Sequence, residues 1–210
     1  MITMFLLCSP KLNKGSSIPI DKEKSMATYE RLVAKEQLNL SNKDTEMVKA
    51  LKIALKGKTH LFNDSVTNRL NRIASTHGIK PSWIVYVMVK ESGADPTKQN
   101  EISNATGIIQ FMPSTARALG TSTKELLSMN IYEQLHYVDK YLSAIGKSHL
   151  IRSYEDLYLA IFWPRALGKS PDYVISSKKS LVSKQNPTIS GERRDGSITV
   201  KSFKKYALKL

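Results

Sequence analysis

The stretch Pro81-Ser82-Trp83-Ile84-Val85-Tyr86-Val87-Met88-Val89-Lys90-Glu91-Ser92-Gly93 restricts this chain more than any other. Its seven residues from Trp83 to Val89 are all apolar. A helix made of them is hydrophobic on every side and has to be enclosed by other elements. Pro81 suits the first helical turn, where its missing N–H is not needed, and Gly93 suits the stop. Glu91 then stands where a buried helix gives way to a polar loop. Partial desolvation there favours the neutral carboxyl and moves its pKa from about 4.3 toward 6. Such a group can hold a proton near neutral pH and pass it to a leaving group. A glutamate at a helix end is more often merely solvated, so the weight rests on the residues C-terminal to it.

Those residues carry a series of signals in one order. Glu91-Ser92 leads to Asp95-Pro96, then to Ala105-Thr106-Gly107-Ile108-Ile109-Gln110-Phe111-Met112-Pro113, then to Ser114-Thr115-Ala116. This series resembles the soluble lytic transglycosylase (SLT) family, which is related to goose-type lysozymes. That family carries Glu-Ser, a loop, Gly-Leu-Met-Gln-aliphatic-Met-Pro and Thr-Ala. The resemblance runs over residues 63–175 and implies an all-α, lysozyme-like helical domain around a glycan-binding groove.

Helical patterning fits that expectation. Asn63 is placed to cap a helix whose apolar face is Val66, Leu70, Ile73 and Ala74, ended by Gly78. Pro113 opens a short helix closed by Gly120, and Ser122 caps another through Met129. Asn130 caps a longer one with Ile131, Leu135, Val138 and Leu142 at helical spacing. Ser153 caps a last core helix, broken by Pro164. Strand signals are nearly absent. The expected division is an N-terminal extension at 1–58, a lysozyme-like domain at 59–175 and a basic tail at 176–210. Within the extension, residues 9–25 read as a flexible lead-in and 26–40 as a helix. A second helix runs from the capping residues at 41–44 to Gly57. The tail closes with a short helix running to Leu210.

The formal net charge of +14 sits mainly at the two ends: +5 over residues 1–60, +2 over 61–175 and +7 over 176–210. Basic ends attract nucleic acid, anionic lipid or an anionic cell wall. The tail has only Phe203 and Tyr206 as aromatics, which disfavours a nucleic-acid stacking platform. One cysteine excludes a disulfide framework, and the four histidines lack metal-ligand spacing. Aligning Asp195-Gly196 with a calcium loop leaves Asp195 as the single carboxylate, so calcium is rejected. No metal or cofactor is expected. No run is long enough to span a bilayer, and the first residues lack the charge and cleavage site of a standard signal peptide. The expectation is a bacteriophage enzyme acting on the bacterial wall or periplasm. It would be carried in the virion or held in the host cytoplasm until lysis, with the tail gripping anionic envelope polymers.

The resemblance also implies the chemistry. The substrate is the glycan strand of peptidoglycan, cut between N-acetylmuramic acid and N-acetylglucosamine. Glu91 protonates the glycosidic oxygen and then serves as base to the muramic 6-hydroxyl, which closes a 1,6-anhydro ring without water. Ser92 and Gln110 match family positions; Gln110 is expected to bind an N-acetyl group or hydroxyl, with Phe111 and Met112 flooring a sugar subsite. The family's Ala-Tyr-Asn motif is missing, and Tyr158, one turn before Phe162, is the expected substitute. An inverting hydrolase needs a second carboxylate about 6.5–9.5 Å from the acid, and Asp95 and Glu101 are the candidates. Hydrolysis with water is therefore the alternative within the fold. A non-enzymatic basic wall-binding or nucleic-acid-binding protein is the alternative outside it.

Overall fold

The computed structural model describes residues 54–190 and 195–208. The lead-in and helices expected before residue 54 lie outside the described residues. The helices form where capping chemistry and apolar spacing coincide. Asn63 accepts the Val66 N–H at 3.0 Å and opens α1 (Asp64–His77), whose buried face includes Val66, Leu70, Ile73 and Ala74. Gly78, at φ 65°, ends it.

Helix α2 (Pro81–Ser92) starts on Pro81 and closes at Gly93, which lies in the left-handed region at φ 67°. Every residue from Ser82 to Met88 is buried. Two short helices come next, α3 (Pro113–Ala118) and α4 (Thr123–Leu127), the second capped by Ser122. Helix α5 (Ile131–Ile145) opens with a capping box, in which Asn130 and Glu133 satisfy each other's backbone N–H. Helix α6 (Tyr154–Phe162), capped by Ser153, stops before Pro164. Helix α1 packs on α5 and α2, and α2 packs on α6. The apolar helix is thus covered on several sides, which its composition requires.

The segment expected to be a basic tail contributes to the same core. It forms β1 (Val174–Ser176), α7 (Leu181–Gln185), α8 (Pro187–Ser190), β2 (Ile198–Thr199) and α9 (Val200–Ala207). The strands pair antiparallel, Val174 opposite Thr199 and Ser176 opposite Ile198. Helix α9 docks on α6, with Phe203 fully buried and its ring stacked 4.6 Å from that of Phe162. From α2, the Tyr86 hydroxyl donates to Ala207 O at 2.9 Å. An eight-residue helix is not stable alone in water, so docking holds it. Burying Phe203 supplies about 1.5–3 kcal/mol of that. Val200, Phe203 and Ala207 recur at helical spacing, a pattern that the high lysine content obscures.

Candidate active site

Glu91 lies in the last turn of α2 and faces a groove of about 580 Å³. One wall is the loop between α2 and α3, through Asn100, Ser103, Gln110, Phe111 and Met112. Tyr141, Tyr158 and Phe162 of the helices also line it, as does the C-terminal segment through Lys184, Gln185, Asn186, Ile189 and Tyr206. Burial pushes the Glu91 carboxyl up from 4.5 to about 7, against the opposing pull of a Tyr158 hydrogen bond and the Lys90 charge. The Tyr158 hydroxyl thus reaches Glu91, and it is also hydrogen-bonded to Tyr206. Its own pKa is driven well up, first by burial and then by the Glu91 charge, so it stays a proton donor. Lys90 Nζ sits 4.5 Å from the centre of the Tyr206 ring, and burial lowers its pKa.

The loop from Gly93 to Met112 is unusually constrained. Ala94, Asn104 and Gln110 all have φ between 54° and 59°, a region that side chains other than glycine rarely adopt. Such conformations persist only where the surroundings over-determine them, and here Gln134 of α5 does much of that. Fully buried, it accepts the Ile108 N–H at 2.8 Å and donates to Pro96 O, Leu126 O and Met129 O. Gly107, at φ 82°, leaves room for it: a Cβ there would lie 2.2 Å from Gln134 Oε1. Ser92 Oγ donates to Met88 O and Ile108 O, both at 3.1 Å, and so ties the turn that bears Glu91 to the loop. It does not line the groove.

Gln110 does line it, but its amide nitrogen donates to Lys98 O and Gly107 O at 3.1 Å. Half of the side chain therefore shapes the loop, leaving the amide oxygen as the part suited to a ligand. Phe111 and Met112 both border the groove, Phe111 almost fully buried. The two candidate second carboxylates sit elsewhere. Asp95 accepts the Thr97 N–H at 2.8 Å and the Thr97 hydroxyl at 2.7 Å, the turn chemistry of an Asp before Pro. Those hydrogen bonds hold its carboxyl below the usual range. Glu101 is exposed, and neither residue is among those lining the groove.

Tyr206, Lys90, Gln134 and the α7–α8 wall are absent from the residues singled out by sequence. Tyr206 lies far along the chain from Glu91, in a segment whose charge suggested a solvated tail. Its signal was the capped apolar stripe of α9, on whose flank it sits. Gln134 could have been found as a polar residue one position before Leu135 on a mostly apolar helix face.

No helix among the described residues is long and apolar enough to cross a membrane. A comparison with curated proteins gives no match. Residues 69–155, from the middle of α1 to the start of α6, match the family model of the Transglycosylase SLT domain. The matched span contains Glu91, the constrained loop and Gln134, and it stops just short of Tyr158. Residues 69–155 are thus similar to the Transglycosylase SLT domain, and the helical architecture around a groove is consistent with a lysozyme-like unit of that kind.

Proposed function

We propose that the protein is a lytic transglycosylase that cuts the β-1,4 bond between N-acetylmuramic acid and N-acetylglucosamine and leaves a 1,6-anhydro end. The observation that carries this is the Glu91 carboxyl, poised at about 7 in the lining of the groove, with no second carboxylate among the described lining residues. A single group that first gives and then takes a proton works best with a pKa near the working pH. Protonated Glu91 donates to the glycosidic oxygen as the bond to C1 breaks and positive charge develops on the muramic ring. Lys90 and the Tyr158 hydroxyl, which both favour the carboxylate, stabilise it once the proton has left. The carboxylate then takes the proton of the muramic 6-hydroxyl while that oxygen closes on C1. Nucleophile and electrophile share one sugar, so the attack gains a large proximity advantage and consumes no water. Gln110, Phe111 and Met112 are proposed to hold the sugar, and Ser92 to position the turn that bears Glu91.

The test is mass spectrometry of purified peptidoglycan digested by the protein, with Glu91→Gln alongside. Anhydromuramic ends that vanish in the variant are the expected result. Reducing ends would mean hydrolysis with a water-activating group outside the described groove lining. No products from walls that a known lytic enzyme cuts would leave a glycan-binding protein.

A further inference from the structure

A second concave site lies on the seam of α1 and α5 and shares no lining residue with the catalytic groove. It measures about 180 Å³ and is lined by Arg69, Arg72, Ile73, Leu135, His136 and Asp139. Arg69 is held in place twice over: its guanidinium carbon lies 3.7 Å from the centre of the Tyr132 ring, and Nη1 donates to Tyr132 O at 2.6 Å. Arg72 lies one turn further along the same helix face, exposed and with no carboxylate partner among the described residues. Among the described lining residues the single acidic one, Asp139, is engaged at 2.8 Å by His77 Nε2, whose ring is fixed from the other side by Ser148. Lys140 is close enough, with Arg69, to depress the His136 pKa, although burial is the larger cause and Asp139 opposes it. The local field is therefore positive.

We propose that this seam is a phosphoryl-binding site, with Arg69 and Arg72 as its guanidinium donors and His136 at its edge. The chemistry favours a tetrahedral oxyanion. Two guanidinium groups a helical turn apart present planar forks to several oxygens at once, and stacking has already removed much of the ordering cost of Arg69. The volume, about six times that of a water molecule in the liquid, has room for one phosphate group and its nearest waters. A phosphodiester of an anionic envelope polymer and free inorganic phosphate offer the same group, so both are put to the site.

The experiment tracks the His136 ring resonances of the intact protein during titration with sodium phosphate and, separately, with poly(glycerol phosphate). Both are run against sodium chloride at matched ionic strength. Phosphate is expected to give a saturable shift and to raise the His136 pKa by about one unit, because an anion now faces the ring. Arg72→Gln should weaken binding by about tenfold to a hundredfold, while leaving the protein's melting temperature and its cleavage of soluble glycan unchanged. Arg72→Lys should restore part of the affinity. Tighter binding of the polymer than of phosphate, per phosphoryl group, assigns the site to the envelope; the reverse assigns it to the free ion. A His136 response no larger than that to chloride, or equal affinity in Arg72→Gln, overturns the proposal.

Discussion

Glu91→Gln tests the energetics of the groove independently of any substrate. In the folded chain burial raises the Glu91 carboxyl from 4.5 to about 7. The folded state therefore binds a proton that the unfolded state has released across the window between those values. Stability supplied by this group is fully present below pH 4.5, declines as pH rises and is gone above 7. At about 1.4 kcal/mol per unit, the loss reaches at most about 3 kcal/mol, since solvent in the groove screens part of it. Glutamine has no charge to desolvate, so the variant escapes this loss. Urea unfolding of both proteins from pH 4 to pH 9 should show their difference in stability growing in favour of Glu91→Gln through pH 5–7, then levelling off. For a domain of this size, about 3 kcal/mol corresponds to roughly 6–12 °C in melting temperature. A difference that stays flat across the range would refute the desolvated carboxyl, and with it the argument that Glu91 holds a proton at neutral pH.

The same geometry sets four further outcomes. Wild-type turnover should fall about tenfold per pH unit above 7, where Glu91 loses its proton; in Tyr158→Phe this limb should move upward, because the lost hydrogen bond favoured the carboxylate. Gly107→Ala should destabilise by about 1–3 kcal/mol through left-handed strain and the collision with Gln134, measured by thermal unfolding. Phe203→Ala should cost about 3–5 kcal/mol, far more than removal of a solvated tail residue, as read by urea unfolding. Replacing exposed Lys178, Lys179 and Lys201 together by glutamine should weaken salt-sensitive wall binding while sparing cleavage of short soluble glycans. Pelleting assays with purified walls at two salt concentrations check the last. Deleting the segment would not, because β2 and α9 would go with the charge.

Much of the fold was legible because its signals are local. Asn63, Ser122, Asn130 and Ser153 cap the helices that they were expected to cap, and Gly78 and Gly93 end theirs in left-handed conformations. A capping side chain satisfies N–H groups two or three residues away, and a helix terminus needs only its own neighbours to be specified. The uniformly apolar run of α2 likewise announced a central helix, since no partly exposed position would tolerate it. The placement of Glu91 at the end of that helix comes from the same arithmetic.

The surroundings of Glu91 obey no such local rule. That Tyr158 and Tyr206 meet beside it depends on α6 and α9 being packed together by Phe162 and Phe203, residues far apart in the chain. Gln134 reaches the loop only because α5 passes beneath it, and Gly107 is needed there only because Gln134 arrives. Ser92 and Gln110 matched a motif, yet much of their hydrogen bonding goes to holding the loop's backbone. The basic composition of the last residues concealed a buried stripe, because exposed lysines outnumber the few apolar side chains that anchor the helix. Backbone capping and apolar periodicity are carried by neighbours in sequence and can be read along the chain. Desolvation, which lifts the Glu91 carboxyl above the ordinary carboxylate range, is a sum over everything that excludes water from it, and that sum exists only once the helices have closed around the groove.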